Sequence, residues 1–224
     1  MGSHLERRRR RRLQDVADGP LHRYLSRPFP KKSLDYRCAD YLALDLETTG
    51  LDPKRGQILS AGWVLIRGHR IDLGSARHRL VRCDGEIPAD SAVIHQITDD
   101  EAAAGQRLGR VMRELLDVLA GRVLIAHHAE IEIGFLDAAC RELYGSGLLA
   151  CTIDTEVLAR RTFERRNIPF RPSELRLHAL CARYNLPRYR AHNAFYDALA
   201  AAELFLAQVS HRDNGSGFCL GDLL

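Results

Sequence analysis

The run Tyr41-Leu42-Ala43-Leu44-Asp45-Leu46-Glu47 has the length and apolar content of a buried strand, yet it carries two acids. Side chains alternate across a strand, so Asp45 and Glu47, two residues apart, share one sheet face. Two carboxylates side by side on a largely buried strand repel and lose hydration unless a cation neutralises them. Thr48-Thr49-Gly50 then turn the chain away. Taken alone, the pair is also compatible with a strand end that has no function.

The rest of the pattern gives that strand neighbours. Ile58 to Arg67, Gly68-His69, and Arg70 to Val81 read as a hairpin whose two-residue turn is opened by glycine. A Pro- and Asp-containing loop follows. Val111, Met112, Leu115, Leu116 and Leu119 recur at helical spacing from Leu108 to Leu119, and Gly121 marks the stop. Arg122 to Ala126 reads as a buried strand, Ala129 to Tyr144 as a helix and Cys151 to Ile153 as a strand. Further helices are predicted over 155–162, 174–184 and 194–209. Strands first and alternation later predict an α/β class with a mixed sheet.

Two more acids interrupt apolar stripes. On the helix from Ala129, the residues three, four, seven and eight after Glu132 are Phe135, Leu136, Ala139 and Cys140. Glu132 is therefore aimed inward, whereas Glu130 shares its stripe with Asp137 and Arg141. A helix-start acid favoured by the dipole is the other explanation for Glu132. Asn193 is a plausible N-cap, which puts Asp197 in the first turn of the last helix, on a stripe with Ala201, Leu204 and Phe205. His192 stands just before that cap. A lone histidine there is commonly structural; four inward acids with it are harder to dismiss.

Three blocks then resemble the motifs of the DnaQ-like (DEDDh) 3′–5′ exonucleases, in order. They are Asp45-Leu46-Glu47-Thr48-Thr49-Gly50, Ala126-His127-His128-Ala129-Glu130-Ile131-Glu132-Ile133-Gly134-Phe135-Leu136, and His192-Asn193-Ala194-Phe195-Tyr196-Asp197. Gaps of 85, 60 and 5 residues separate Glu47, Glu132, His192 and Asp197. Ile94-His95-Gln96-Ile97-Thr98 and Ile153-Asp154-Thr155 resemble two intermediate segments, and the likeness spans residues 40–208. It implies an RNase H-like fold, a five-stranded mixed sheet flanked by helices with the acids clustered at one end.

The resemblance also implies a phosphodiester hydrolase with two divalent cations, Mg²⁺ or Mn²⁺, for which oxygen ligands are suited. Asp45 would bridge both ions, Glu47 and Asp197 complete the first, and Glu132 support the second. His192 would be the general base, with an unperturbed pKa of roughly 6.5 that suits neutral pH. Thr48, Leu51, His95 and Ile97 match positions that hold the terminal sugar and stack its base. The family's second-motif Asp is Glu132 here, its Asn is His128 and its Phe is Ile131; the last two line the substrate side. The expected activity is release of nucleoside 5′-monophosphates from DNA 3′ ends, single-stranded or mismatched, in repair or proofreading. The alternatives are an RNA or oligoribonucleotide exonuclease, and a degenerate domain that binds 3′ ends without cutting.

Charge places the chain further. Net charge is +4, but residues 1–37 hold 11 Lys and Arg against 4 Asp and Glu, and the remainder 22 against 25. That slightly acidic body excludes a wholly electrostatic nucleic-acid binder. The expected organisation is a basic, Pro-containing extension over 1–37, an exonuclease domain over 38–210 and a short tail over 211–224. Residues 5–17 are compatible with a helix whose apolar stripe, Leu13, Val16 and Ala17, is poor, and the mutual repulsion of Arg7 to Arg12 predicts a solvated arm, with phosphate or partner binding as the alternative. Pro20, Pro28 and Pro30 predict extended pieces after it. The six cysteines form no C-x-x-C pair, which points to reduced thiols and a cytoplasmic setting, with nucleoid association as a variant. No signal sequence is read at the N-terminus, and no apolar run approaches the roughly 20 residues of a membrane span. A polymerase partner is compatible with the resemblance, although Ser210 to Leu224 is short for a polymerase-binding tail.

Overall fold

The computed structural model describes residues 4–83, 99–213, 215 and 217–224. Two helices come first, α1 (His4–Asp15) and α2 (Pro20–Ser26). Next come β1 (Asp40–Thr48), β2 (Ile58–Arg67) and β3 (Arg70–Leu80). After them run α3 (Asp99–Ala103), α4 (Leu108–Leu119), β4 (Val123–Ala126), α5 (Glu130–Tyr144) and β5 (Thr152–Asp154). The chain ends with α6 (Thr155–Arg165), α7 (Leu177–Arg183) and α8 (Ala194–Arg212).

The five strands form one mixed sheet in the order β3-β2-β1-β4-β5, as the resemblance implies. β1 pairs antiparallel with β2 and parallel with β4, so it is central. The hairpin turns at Gly68, whose φ of 59° is a left-handed conformation that glycine adopts without strain. Both parallel steps, β1 to β4 and β4 to β5, move the same way along the sheet. Right-handed crossovers then put α4 and α5 on one face. α8 lies across the other, its Phe205 ring 4.8 Å from that of Tyr41 on β1. The core runs through Leu42, Leu44, Val64, Ile66, Val123, Leu124 and Ile125, all fully buried. Phe163, Leu175, Leu180 and Leu204 form a second cluster that ties α6 and α7 to α8.

Four expectations need correction. The helix predicted over 174–184 is split: Pro172–Leu175 forms a 3-10 turn, extended Arg176 follows, and α7 starts at Leu177. The strand predicted over Cys151 to Ile153 lies one residue later. The arginine run is not a solvated arm. α1 docks, with Arg9 buried and donating to the Leu25 carbonyl and to Glu6, while Arg12 donates to the Gly147 carbonyl at 2.6 Å. Pro20 opens a helix rather than an extended piece, because the first turn needs no N–H from it. α2 buries Leu21, Tyr24 and Leu25, and the Tyr24 hydroxyl donates to the Leu149 carbonyl at 2.7 Å. Hydrogen-bonded carbonyls and apolar burial offset the like-charge repulsion that the sequence emphasises. Residues 147–149 precede β5, which runs parallel to β4 and hence to β1, so this docking occurs at the opposite end of the sheet from Asp45 and Glu47.

Candidate active site

Asp45 and Glu47 lie in the last half of β1, on the face that α8 covers. Their register partners on β2 are Gly62 and Ser60. Gly62 is decisive. A Cβ there would sit 2.2 Å from the Ala194 carbonyl carbon and from the Phe195 nitrogen, so only glycine lets the α8 N-terminus rest on the sheet. That contact delivers Asp197, in the first turn of α8, to the carboxylates of β1. Asn193 caps the helix by accepting from Phe195 and Tyr196 N–H, and Asp197 N–H donates to the Asn193 carbonyl at 2.9 Å.

One oxygen each from Asp45, Glu47 and Asp197 lies within 4.8 Å of the others. Glu47 and Asp197 are buried and Asp45 half-buried. Oxygens bound to one divalent cation at about 2.0–2.6 Å can be no more than roughly 4–5 Å apart, so this spacing fits such an ion. Glu132 stands outside the three-oxygen group. It is only 4 % exposed on the first turn of α5, and its Oε2 has no hydrogen-bond partner. The loop before that helix is fixed by Asp154, whose carboxylate accepts from His128 N–H at 3.1 Å and Ala129 N–H at 2.8 Å. The same carboxylate caps α6 through Glu156 N–H at 2.8 Å.

Burial and mutual repulsion raise the proton affinity of this cluster. Asp45 is held well above the usual carboxylate range, by burial first and then by the charges of Glu132, Glu47 and Asp197. Burial, with the Asp154 and Glu47 charges, pushes Glu132 up to about 8. Asp197 is also raised by burial, against the opposing pull of His178 and of the His192 N–H.

His192 has φ of 62° and His128 φ of 63°; each kinks the chain just ahead of a helix that carries an acid. The His192 N–H donates to Asp197 Oδ2 at 2.9 Å, while the residue itself is exposed. Of the expected sugar and base contacts, Thr48 is buried and donates to the Gly50 carbonyl, whereas Leu51 is 79 % exposed. His128 is exposed with its Nδ1 3.0 Å from Glu156, and Ile131 is half-buried. His95 and Ile97 lie outside the described residues.

Sequence reasoning missed two contributors and named a third, Asp154, without a role. His178 on α7 places Nε2 3.4 Å from Asp197 Oδ1, and nothing in the sequence links it to an acid 19 residues away. Gly62 could have been flagged as a glycine inside a ten-residue apolar strand. Asp154 could have been flagged as an N-cap at a strand–helix junction.

A family model described as Exonuclease matches residues 42–205. DNA polymerase III subunit epsilon of Treponema pallidum is 28% identical over 180 residues, covering 80% of this chain and 81% of its own. The PolC-type DNA polymerase III of Thermotoga maritima is 30% identical over 168 residues, 75% of this chain but only 12% of its own length. Among solved structures, Exonuclease X in complex with 5′ overhanging duplex DNA superposes with a TM-score of 0.62. It is 22% identical, over 82% of this chain and 98% of that one. E. coli Exonuclease I in complex with a 5cy-dT13 oligonucleotide gives a TM-score of 0.67 at 16% identity, over 82% and 42% respectively. At these identities the structural likeness establishes the fold.

Proposed function

Because the chain belongs to the exonuclease family, we propose that it removes nucleotides from DNA 3′ ends by metal-dependent hydrolysis, releasing nucleoside 5′-monophosphates. The convergence of Asp45, Glu47 and Asp197 oxygens within 4.8 Å is the observation that supports it most. DNA is favoured over RNA by relatives named as DNA polymerase subunits and by the DNA-bound structural neighbours. The catalytic unit is residues 38–210, with the acids at the carboxyl end of β1 and at two helix N-termini.

Asp45, Glu47 and Asp197 would hold one divalent cation, and Asp45 with Glu132 a second, Mg²⁺ or Mn²⁺. When bound, such ions neutralise charge on the attacking and leaving oxygens of the displacement. The chain's own groups do the rest. The His192 N–H fixes the Asp197 carboxylate, and the His192 ring takes the proton of the attacking water. Glu132 reaches one methylene farther than the family's aspartate. Its buried Oε2, which accepts no hydrogen bond, is suited to a cation rather than to a structural contact. Thr48, Leu51, His128 and Ile131 flank the end nucleotide in this reading, with His95 and Ile97. A polymerase is the partner class that the relatives' names imply. No helix of the described residues is long and apolar enough to cross a membrane, which fits a cytoplasmic setting.

End-labelled digestion of single-stranded DNA, mismatched duplex and RNA with Mg²⁺ or Mn²⁺ tests the assignment. Stepwise shortening from the 3′ end of DNA that stops with EDTA is expected. Faster digestion of matched RNA would move the chain to the RNA-trimming enzymes. Binding without cleavage in either metal would make it a non-cutting 3′-end domain.

A further inference from the structure

An open groove of about 1020 Å³ lies between α4 and α5 and begins at the edge of β2 and β3. Its volume stands at the upper end of the roughly 300–1,000 Å³ of clefts that enclose one small ligand, and it is open along its length rather than enclosed. Arg82, Arg107, Arg110 and Arg113 line it, and all four are exposed. Arg107, Arg110 and Arg113 stand three apart from the α4 N-cap onward, which makes a row rising about 4.5 Å per step along one side of the helix. Among the described residues none of the four has a carboxylate within 4 Å, whereas nearby Arg79 pairs with Glu114 at 2.8 Å. Glu142 also lines the groove, leaving four guanidiniums against one carboxylate.

The groove opens beside the carboxylate site. Gln57, at its mouth, receives Thr49 N–H at its carbonyl at 3.0 Å and donates its own N–H to Thr49 Oγ1 at 2.9 Å. Thr49 is two residues beyond Glu47. A regular row of exposed, unpaired guanidiniums matches a repeating anion, and each planar fork can engage a phosphate bidentately. We propose that this arginine row is the track for the sugar-phosphate backbone of a single DNA strand whose 3′ end lies at Asp45 and Glu47. The proposal rests on the exonuclease reading above and names how that substrate is held.

Fluorescence anisotropy in EDTA, across a KCl series, tests it with oligothymidylates of about 4 and about 16 nucleotides, the range over which single-strand sites are built. The triple variant Arg107→Gln, Arg110→Gln, Arg113→Gln keeps helix propensity, because Arg and Gln rank alike. It is expected to flatten the dependence of log affinity on log salt by about 2 for the longer strand, at about 0.7 per lost phosphate contact. Arg7→Gln, Arg8→Gln, Arg11→Gln removes the same charge at the far end of the sheet and is expected to keep the wild-type slope. Equal slopes for wild type and the groove variant, or equal flattening by both variants, would overturn the track. Should the triple variant lose its circular-dichroism spectrum, Arg110→Gln alone is expected to flatten the slope by about 0.7, and an unchanged slope overturns the track. Hydrolysis of the shorter strand with Mg²⁺ reads the exonuclease assignment separately. Failure of the wild-type protein to cleave it would sink that assignment while the slopes still decide the track.

Discussion

At the residue scale, the site joins groups that repel in isolation, and its behaviour without metal should show it. A carboxyl whose folded pKa is raised holds protons that the unfolded chain releases, so its contribution to stability is complete at low pH. That contribution is lost as pH rises through the folded pKa, which for Glu132 is a window from 4.5 to about 8. Metal-free protein should therefore melt at a lower temperature at about pH 8 than at about pH 5, and added Mg²⁺ should reverse the loss. A melting temperature that rises with pH over this window would contradict the raised proton affinity of the cluster. His192 offers a cleaner dissection. Its backbone is left-handed and its N–H holds Asp197, so His192→Gly keeps both and removes only the ring. Hydrolysis should fall by roughly 10²–10⁴, the worth of general acid–base catalysis, with metal affinity unchanged. The acids were legible in the sequence because each breaks an apolar stripe. His178 was not, since an exposed histidine on a short helix breaks nothing.

At the scale of elements, α8 meets the sheet through a position with no side chain. Gly62→Ala would set a methyl against the Ala194 and Phe195 backbone and force the helix start outward. Overpacking of this kind costs about 1–3 kcal/mol, and displacing Asp197 by about 1 Å costs on the order of a hundredfold in rate. Denaturant melts and steady-state rates on the variant check both numbers; wild-type rates would show that α8 does not depend on this contact. The central strands and α4, α5 and α8 were readable from periodicity, since their apolar positions face a single core. The break at Arg176 was not. Leu175, Leu177, Leu180 and Cys181 all bury their side chains, so the apolar spacing continues through a backbone that has left the helix.

For the whole molecule, the basic leader belongs to the fold rather than to the solvent. Leu21→Ala should cost about 2–5 kcal/mol in denaturant melts, as for any buried leucine, and a loss under 1 kcal/mol would return the leader to the status of an arm. Sequence composition displayed its charge and concealed its docking, because Arg9 and Arg12 are satisfied by carbonyls distant in the chain. The carboxylates occupy the other end of the sheet, and everything functional follows from whether they bind ions. Calorimetric titration of the wild-type chain with Mn²⁺, beside Asp45→Asn, decides this. Saturable binding by wild type that Asp45→Asn abolishes is the expected result; indistinguishable heats from the two proteins would mean that these acids are not a metal centre.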